Sequence, residues 1–95
     1  MSWELFDRKI KTYQSQQFFH ERWVHRESKS GMVFYSDLDK EGKIKYVVEG
    51  YGTGTVDPDT FKEITEIAPI QRREFLDLED AKRALKKLQR SIVNK

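Results

Sequence analysis

The amino-acid sequence predicts an α+β fold: a four- or five-stranded antiparallel, meander-like sheet with a C-terminal amphipathic helix packed on one face. Three observations carry this. In residues 77–93 (DLEDAKRALKKLQRSIV), Leu78, Ala81, Leu85, Leu88 and Ile92 recur at spacings of three and four, the period of one helical face. Upstream, short runs that alternate in polarity are separated by turns containing glycine and aspartate, as expected of strands with one dry face. Twelve aromatic rings in 95 residues supply enough bulk to build a core from few positions.

Taken in order, Trp3, Leu5, Ile10 and Tyr13 mark one or two extended pieces at the start of the chain. In 16–28 (QQFFHERWVHRES) a strand places Phe18, His20, Arg22, Val24 and Arg26 on one face, and Phe19, Glu21, Trp23 and His25 on the other. A helix would align Phe19 with Trp23, but the β-rich composition favours the strand. The adjacent rings Phe18 and Phe19 then point to opposite faces. One meets the core, and the other meets a second layer or stays exposed as an interface. Lys29-Ser30-Gly31 reads as a turn, residues 32–36 as a strand, and residues 37–42 as the loop of a hairpin whose second strand is 43–50.

Gly50, Gly52 and Gly54 interrupt what would otherwise run on as a strand. One of the three is expected at positive φ, with Tyr51 exposed beside it. Asp57-Pro58 is a fair helix start, and Phe61, Ile64, Ile67 and Ala68 fit a short helical stripe ended by Pro69, although a strand through 61–67 competes. Ile70 to Phe75 is expected to be extended. The final helix covers 78–92, with Asp77 as N-cap and Asp80 three residues on, in an imperfect capping box.

Residues 1–95 are read as a single domain. Cysteine is absent, which excludes a disulfide framework and thiolate metal sites. The segment MSWELFDRKIKTY has no apolar core of a signal peptide, and no apolar run approaches the roughly 20 residues that span a bilayer. These features give the expectation of a cytoplasmic protein without a membrane partner.

Patterns of the kind that carry catalysis fail on spacing. His20 and His25 are five apart, about 140° apart on a helix and on opposite faces of a strand, whereas a helical zinc pair needs four. The glycines of GYGTGTV lack the third spacing of a dinucleotide loop and the lysine of a P-loop. Asp59, Asp80 and Lys82 superficially match a metal-dependent nuclease, but the latter two lie on the helix rather than on an adjacent strand. The expectation is therefore a non-enzymatic binding or regulatory module with no catalytic residues, no metal and no cofactor.

Net charge is only +2, yet its distribution is uneven. Residues 70–95 carry eight Lys/Arg against four Asp/Glu, while residues 32–69 carry four against eight. Lys82, Arg83, Lys86, Lys87 and Arg90 fall opposite the apolar stripe of the helix, and with Arg22, Arg26, Arg72 and Arg73 they are the candidate phosphate contacts of a nucleic-acid surface. The alternative is a protein–protein module, a homodimer or an inhibitor, using Phe18 and Tyr51 with the 50–54 glycine loop. A solvated helix face that only complements the helix dipole would look the same in sequence.

The stretch Phe75–Leu85, FLDLEDAKRAL, resembles the strand-to-helix passage of several small β-then-α modules, among them the WGR domains of nucleic-acid-associated proteins. The Trp-Gly-Arg triplet of that family is absent, its place taken at best by Tyr51-Gly52-Thr53. No function is carried over from the resemblance.

Overall fold

The computed structural model describes residues 3–62 and 69–93. It contains one five-stranded antiparallel sheet built from β1 (Glu4–Tyr13), β2 (Gln16–His25), β3 (Ser30–Leu38), β4 (Ile44–Tyr51) and β5 (Gln71–Phe75), followed by the helix α1 (Leu78–Val93). Strand order in space is strand order in the chain, and every pairing is antiparallel, so the sheet is the expected meander.

Alternation decides which side chains α1 covers. In register, Trp23 lies opposite Met32 and Met32 opposite Gly50; Phe34 lies opposite Val48 and Val48 opposite Arg73. Met32, Phe34 and Val48 meet Ala81, Leu85, Leu88 and Ile92 of the helix in the main core, with Phe19, Trp23, Tyr46, Phe75 and Leu78 packed around it. All five positions of the predicted helical stripe therefore join the core or its rim. Gly50 shows how closely the layers approach. A Cβ there would stand 2.8 Å from Leu88 Cδ2 and 2.9 Å from Ile92 Cδ1, so a residue without a side chain lets the helix lie down on β4.

The helix opens as predicted. The Asp77 carboxylate accepts the Glu79 amide at 3.0 Å, and Ala81 N–H donates to the Asp77 carbonyl. At the far end of the same face, the Trp3 indole N–H donates to the Gln89 carbonyl at 3.0 Å and ties the residue just before β1 to α1.

The opposite sheet face gains a second layer from the loop after β4. Amides of Gly54, Thr55 and Val56 donate to the carbonyls of Ser28 and Lys29. Val56 is thereby fully buried. Among the three glycines, Gly54 takes the positive φ, at 78°. Tyr51 is half-buried rather than exposed, since β4 runs on to include it in register with Gly31.

Residues 57–62 form a closed turn and not the first turn of a helix. Asp57 Oδ1 accepts the Asp59 amide, Phe61 N–H donates to the Asp57 carbonyl, and Asp57 N–H donates to the Lys62 carbonyl. Phe61 sits at φ 57°, which ends right-handed propagation. The rest of the helical stripe expected there, Ile64, Ile67 and Ala68, lies outside the described residues.

Candidate nucleic-acid interface

Two grooves flank α1, and the helix cations form the ridge between them. On the β5 side, a shallow trough of about 410 Å³ is lined by Arg73 and Phe75 from the strand and by Asp80, Arg83, Ala84, Lys86, Lys87 and Arg90 from the helix. Two periodicities build it. Arg73 and Phe75 are two apart on a strand and share a face. On the helix, Arg83, Lys86, Lys87 and Arg90 are three and four apart, so they form one stripe. Phe75 gives the trough an apolar floor, and the Arg73 guanidinium lies 5.4 Å from its ring centroid.

Five cations thus converge against one carboxylate. That carboxylate, Asp80, is occupied by Arg83 Nη2 at 3.1 Å, an exposed pair one turn apart. Lys82 similarly reaches Glu79 at 3.8 Å. Such surface pairs hold little free energy and open readily to a competing anion. Among the described residues, Lys86, Lys87, Arg90 and Arg73 make no ion pair. With Arg83 in a loose surface pair, they form a patch of concentrated positive potential.

The remaining candidates are held elsewhere. Arg22 lies on the sheet face away from α1, where its Nε donates to Asp7 Oδ1 at 2.8 Å and its Nη2 to Asp7 Oδ2. Its guanidinium also sits 5.0 Å from the ring centroids of both Phe6 and Phe61. The hydrogen bond from Arg22 holds the Asp7 carboxyl below the usual aspartate range, with desolvation opposing it. Arg26 reaches Glu4 at 3.2 Å and Asp59 at 2.8 Å.

Arg72 faces the same way and bonds Glu49, Glu74 and the side chain of Tyr35, while Lys45 reaches Glu74 from β4. Arg22, Arg26 and Arg72 are therefore separated from the helix ridge by the sheet itself, and each is neutralised locally. Arg73, one residue from Arg72, joins the helix because strand alternation turns it to the other face.

Phe18 is half-buried on the face away from α1, so the two adjacent rings divide as alternation requires. Phe19 packs edge-on against Phe34, with centroids 4.9 Å apart, and stacks on Tyr46. His20 stacks on Tyr35 at 5.7 Å, whereas His25 is buried, bonded to Ser28 and set beside Trp3. The two histidines share no site, and among the described residues no group of three or more His, Cys, Asp or Glu could hold a metal ion. Among the same residues, no helix is long and apolar enough to cross a membrane.

Phe75 and Ala84 line the trough and were not among the sequence candidates, and Phe75 is the one that gives it a ring. The signal for Phe75 was the period-two spacing to Arg73. Comparison with known proteins returns no matching family model, no matching curated protein and no matching solved structure.

Proposed function

We propose that this chain is a small non-enzymatic nucleic-acid-binding module that grips phosphates along the trough between α1 and β5. The observation that supports this is the convergence of Arg73, Arg83, Lys86, Lys87 and Arg90 on one trough with a single carboxylate among them. A phosphate backbone presents a regular row of anions, and a helical stripe of cations can neutralise several of them at once and release their counterions. Contacts of this kind read charge and spacing rather than base identity, so binding is expected to be weakly sequence-selective.

The test is a salt titration. Binding of DNA or RNA fragments by the wild-type chain should fall steeply as salt rises from about 50 mM. Replacing Arg73, Lys87 and Arg90 together by Gln should weaken binding to every sequence and flatten the log–log salt plot by up to about three. Absence of binding by the wild-type chain at low salt would overturn the reading.

A second reading, a protein–protein module that includes self-association, draws on apolar residues left open on β1. Leu5, Ile10 and Tyr13 are 46%, 58% and 54% exposed, and Ile10 and Tyr13 belong to the part of the β1–β2 hairpin that runs past the end of β3 pairing. An interface of that kind would change little with salt. The same titration therefore separates the two readings.

A further inference from the structure

The second groove beside α1 has a different chemistry from the trough. It has a volume of about 350 Å³ and lies between the helix and strands β2 and β3. Its apolar surface comes from Trp23, Phe34 and Leu85. Trp23 is only partly buried, so part of its ring is available to a guest. The indole is held in place by its own N–H, which donates to Glu21 Oε1 at 3.2 Å, while Glu21 Oε2 receives Arg8 at 3.2 Å.

Charges of both signs line this groove, and on its helix side Glu79 is paired with Lys82 at 3.8 Å, leaving Arg83 and Lys86 as the cations nearest the trough. Lys82, Arg83 and Lys86 stand along the helix, and Arg83 and Lys86 also line the cationic trough. Glu21, on the sheet side, sets negative charge close to the indole. An anion is therefore drawn to the ridge at Arg83 and Lys86, while the groove interior offers Trp23, Phe34 and Leu85 beside a Glu21 already held by Arg8, a lining that suits a flat neutral ring. A nucleotide in a single strand has that division: a phosphate outside and a planar base beside it. A base pair in a duplex has its faces covered and cannot reach into such a slot.

Resting on the phosphate-binding reading above, we infer that the groove at Trp23 is a base-stacking slot, and that the preferred ligand is single-stranded nucleic acid. One or more phosphates sit on the ridge at Arg83 and Lys86, and an adjacent base turns inward onto the Trp23 ring.

The experiment uses the full chain carrying Trp3→Phe, so that Trp23 is the only indole, with its fold checked by circular dichroism against wild type. Three probes are titrated at low salt: a short oligothymidylate, an abasic oligomer of the same length and charge, and a duplex of the same length. Oligothymidylate should quench Trp23 fluorescence and bind at least about fivefold more tightly than the abasic strand, which keeps every phosphate and no base. The duplex should not quench.

Equal affinity for the abasic strand and oligothymidylate, without quenching, would overturn the slot while leaving the phosphate trough standing. Loss of salt-dependent binding for all three probes would overturn the trough and the slot together. Trp23→Leu serves as a second variant. It should bring oligothymidylate affinity down to the abasic level and leave abasic binding unchanged, and a stable variant that still prefers the strand with bases would overturn the assignment.

Discussion

Arg22 shows how a residue's surroundings decide what its charge is for. In sequence it is one more arginine on a strand rich in rings, and phosphate contact is a fair expectation. In the fold its planar guanidinium is spread between Phe6 and Phe61 and doubly bonded to Asp7, so it pins β1 and the 57–62 turn to β2. Arg22→Gln should cost about 1–3 kcal/mol of stability and leave the salt dependence of nucleic-acid binding unchanged. The Asp7 side carries a pH signature. Because its folded-state pKa is depressed, the stability it contributes is present above the unfolded aspartate value near 3.9 and is lost as pH falls through the folded value. The stability gap between wild type and Asp7→Asn, measured as denaturation midpoints, should be constant above about pH 5 and shrink below about pH 4. A gap that persists unchanged into acid would show that the ionic form of the pair adds nothing.

Among the elements, the helix was the most legible in sequence because its signals agree: a cap, a sustained period and a polar face all point to 78–92, one residue short of the observed Leu78–Val93. Leu85→Ala should cost roughly 2–5 kcal/mol, read as a lower denaturation midpoint, since Leu85 is buried in the main core. The β1–β2 connection was much less legible. Gln14 and Ser15 link the strands at φ 49° and 66°, the left-handed pair of a two-residue hairpin turn, yet neither residue advertises it as Asn-Gly would. Replacing the pair by Asn-Gly should stabilise the chain by about 1 kcal/mol, because the sequence now carries a left-handed penalty that Asn and Gly relieve. An unchanged midpoint would mean that the hairpin's pairing sets its stability regardless of the turn. The turn at 57–62 was misread for a related reason. Asp-Pro begins turns as readily as helices, and only the carbonyl partners of Phe61 and Asp57 tell them apart.

At the scale of the whole molecule, the sheet sorts charge. The face away from α1 carries most of its cations in local pairs, whereas the helix side leaves a ridge of them open. This division could be read only in part from sequence. Helical periodicity placed the five helix cations correctly on one stripe. Strand parity would have turned Arg73 toward them and Arg72 away, but it needs the position of β5 relative to α1, which a single strand's pattern does not contain. The grooves beside the ridge were invisible for the same reason. They are spaces between elements, floored by Trp23 and Phe34 on one side of the helix and by Phe75 on the other.

The strand order has a consequence for how the chain reaches this state. Each strand pairs with its neighbour along the sequence, and the first three pairings close only the short connections 14–15, 26–29 and 39–43, which favours rapid formation for a β-rich chain, while β5 joins across the longer segment 52–70. The helix can dock only once β3, β4 and β5 present their apolar face together. The bond from Trp3 to the Gln89 carbonyl, spanning 86 positions, closes the longest loop and belongs to the end of the process. Damage to the helix face, as in Leu85→Ala, should therefore appear chiefly as faster unfolding, with the refolding rate little changed. A β-meander assembled this way keeps its speed in the sheet and its persistence in the helix.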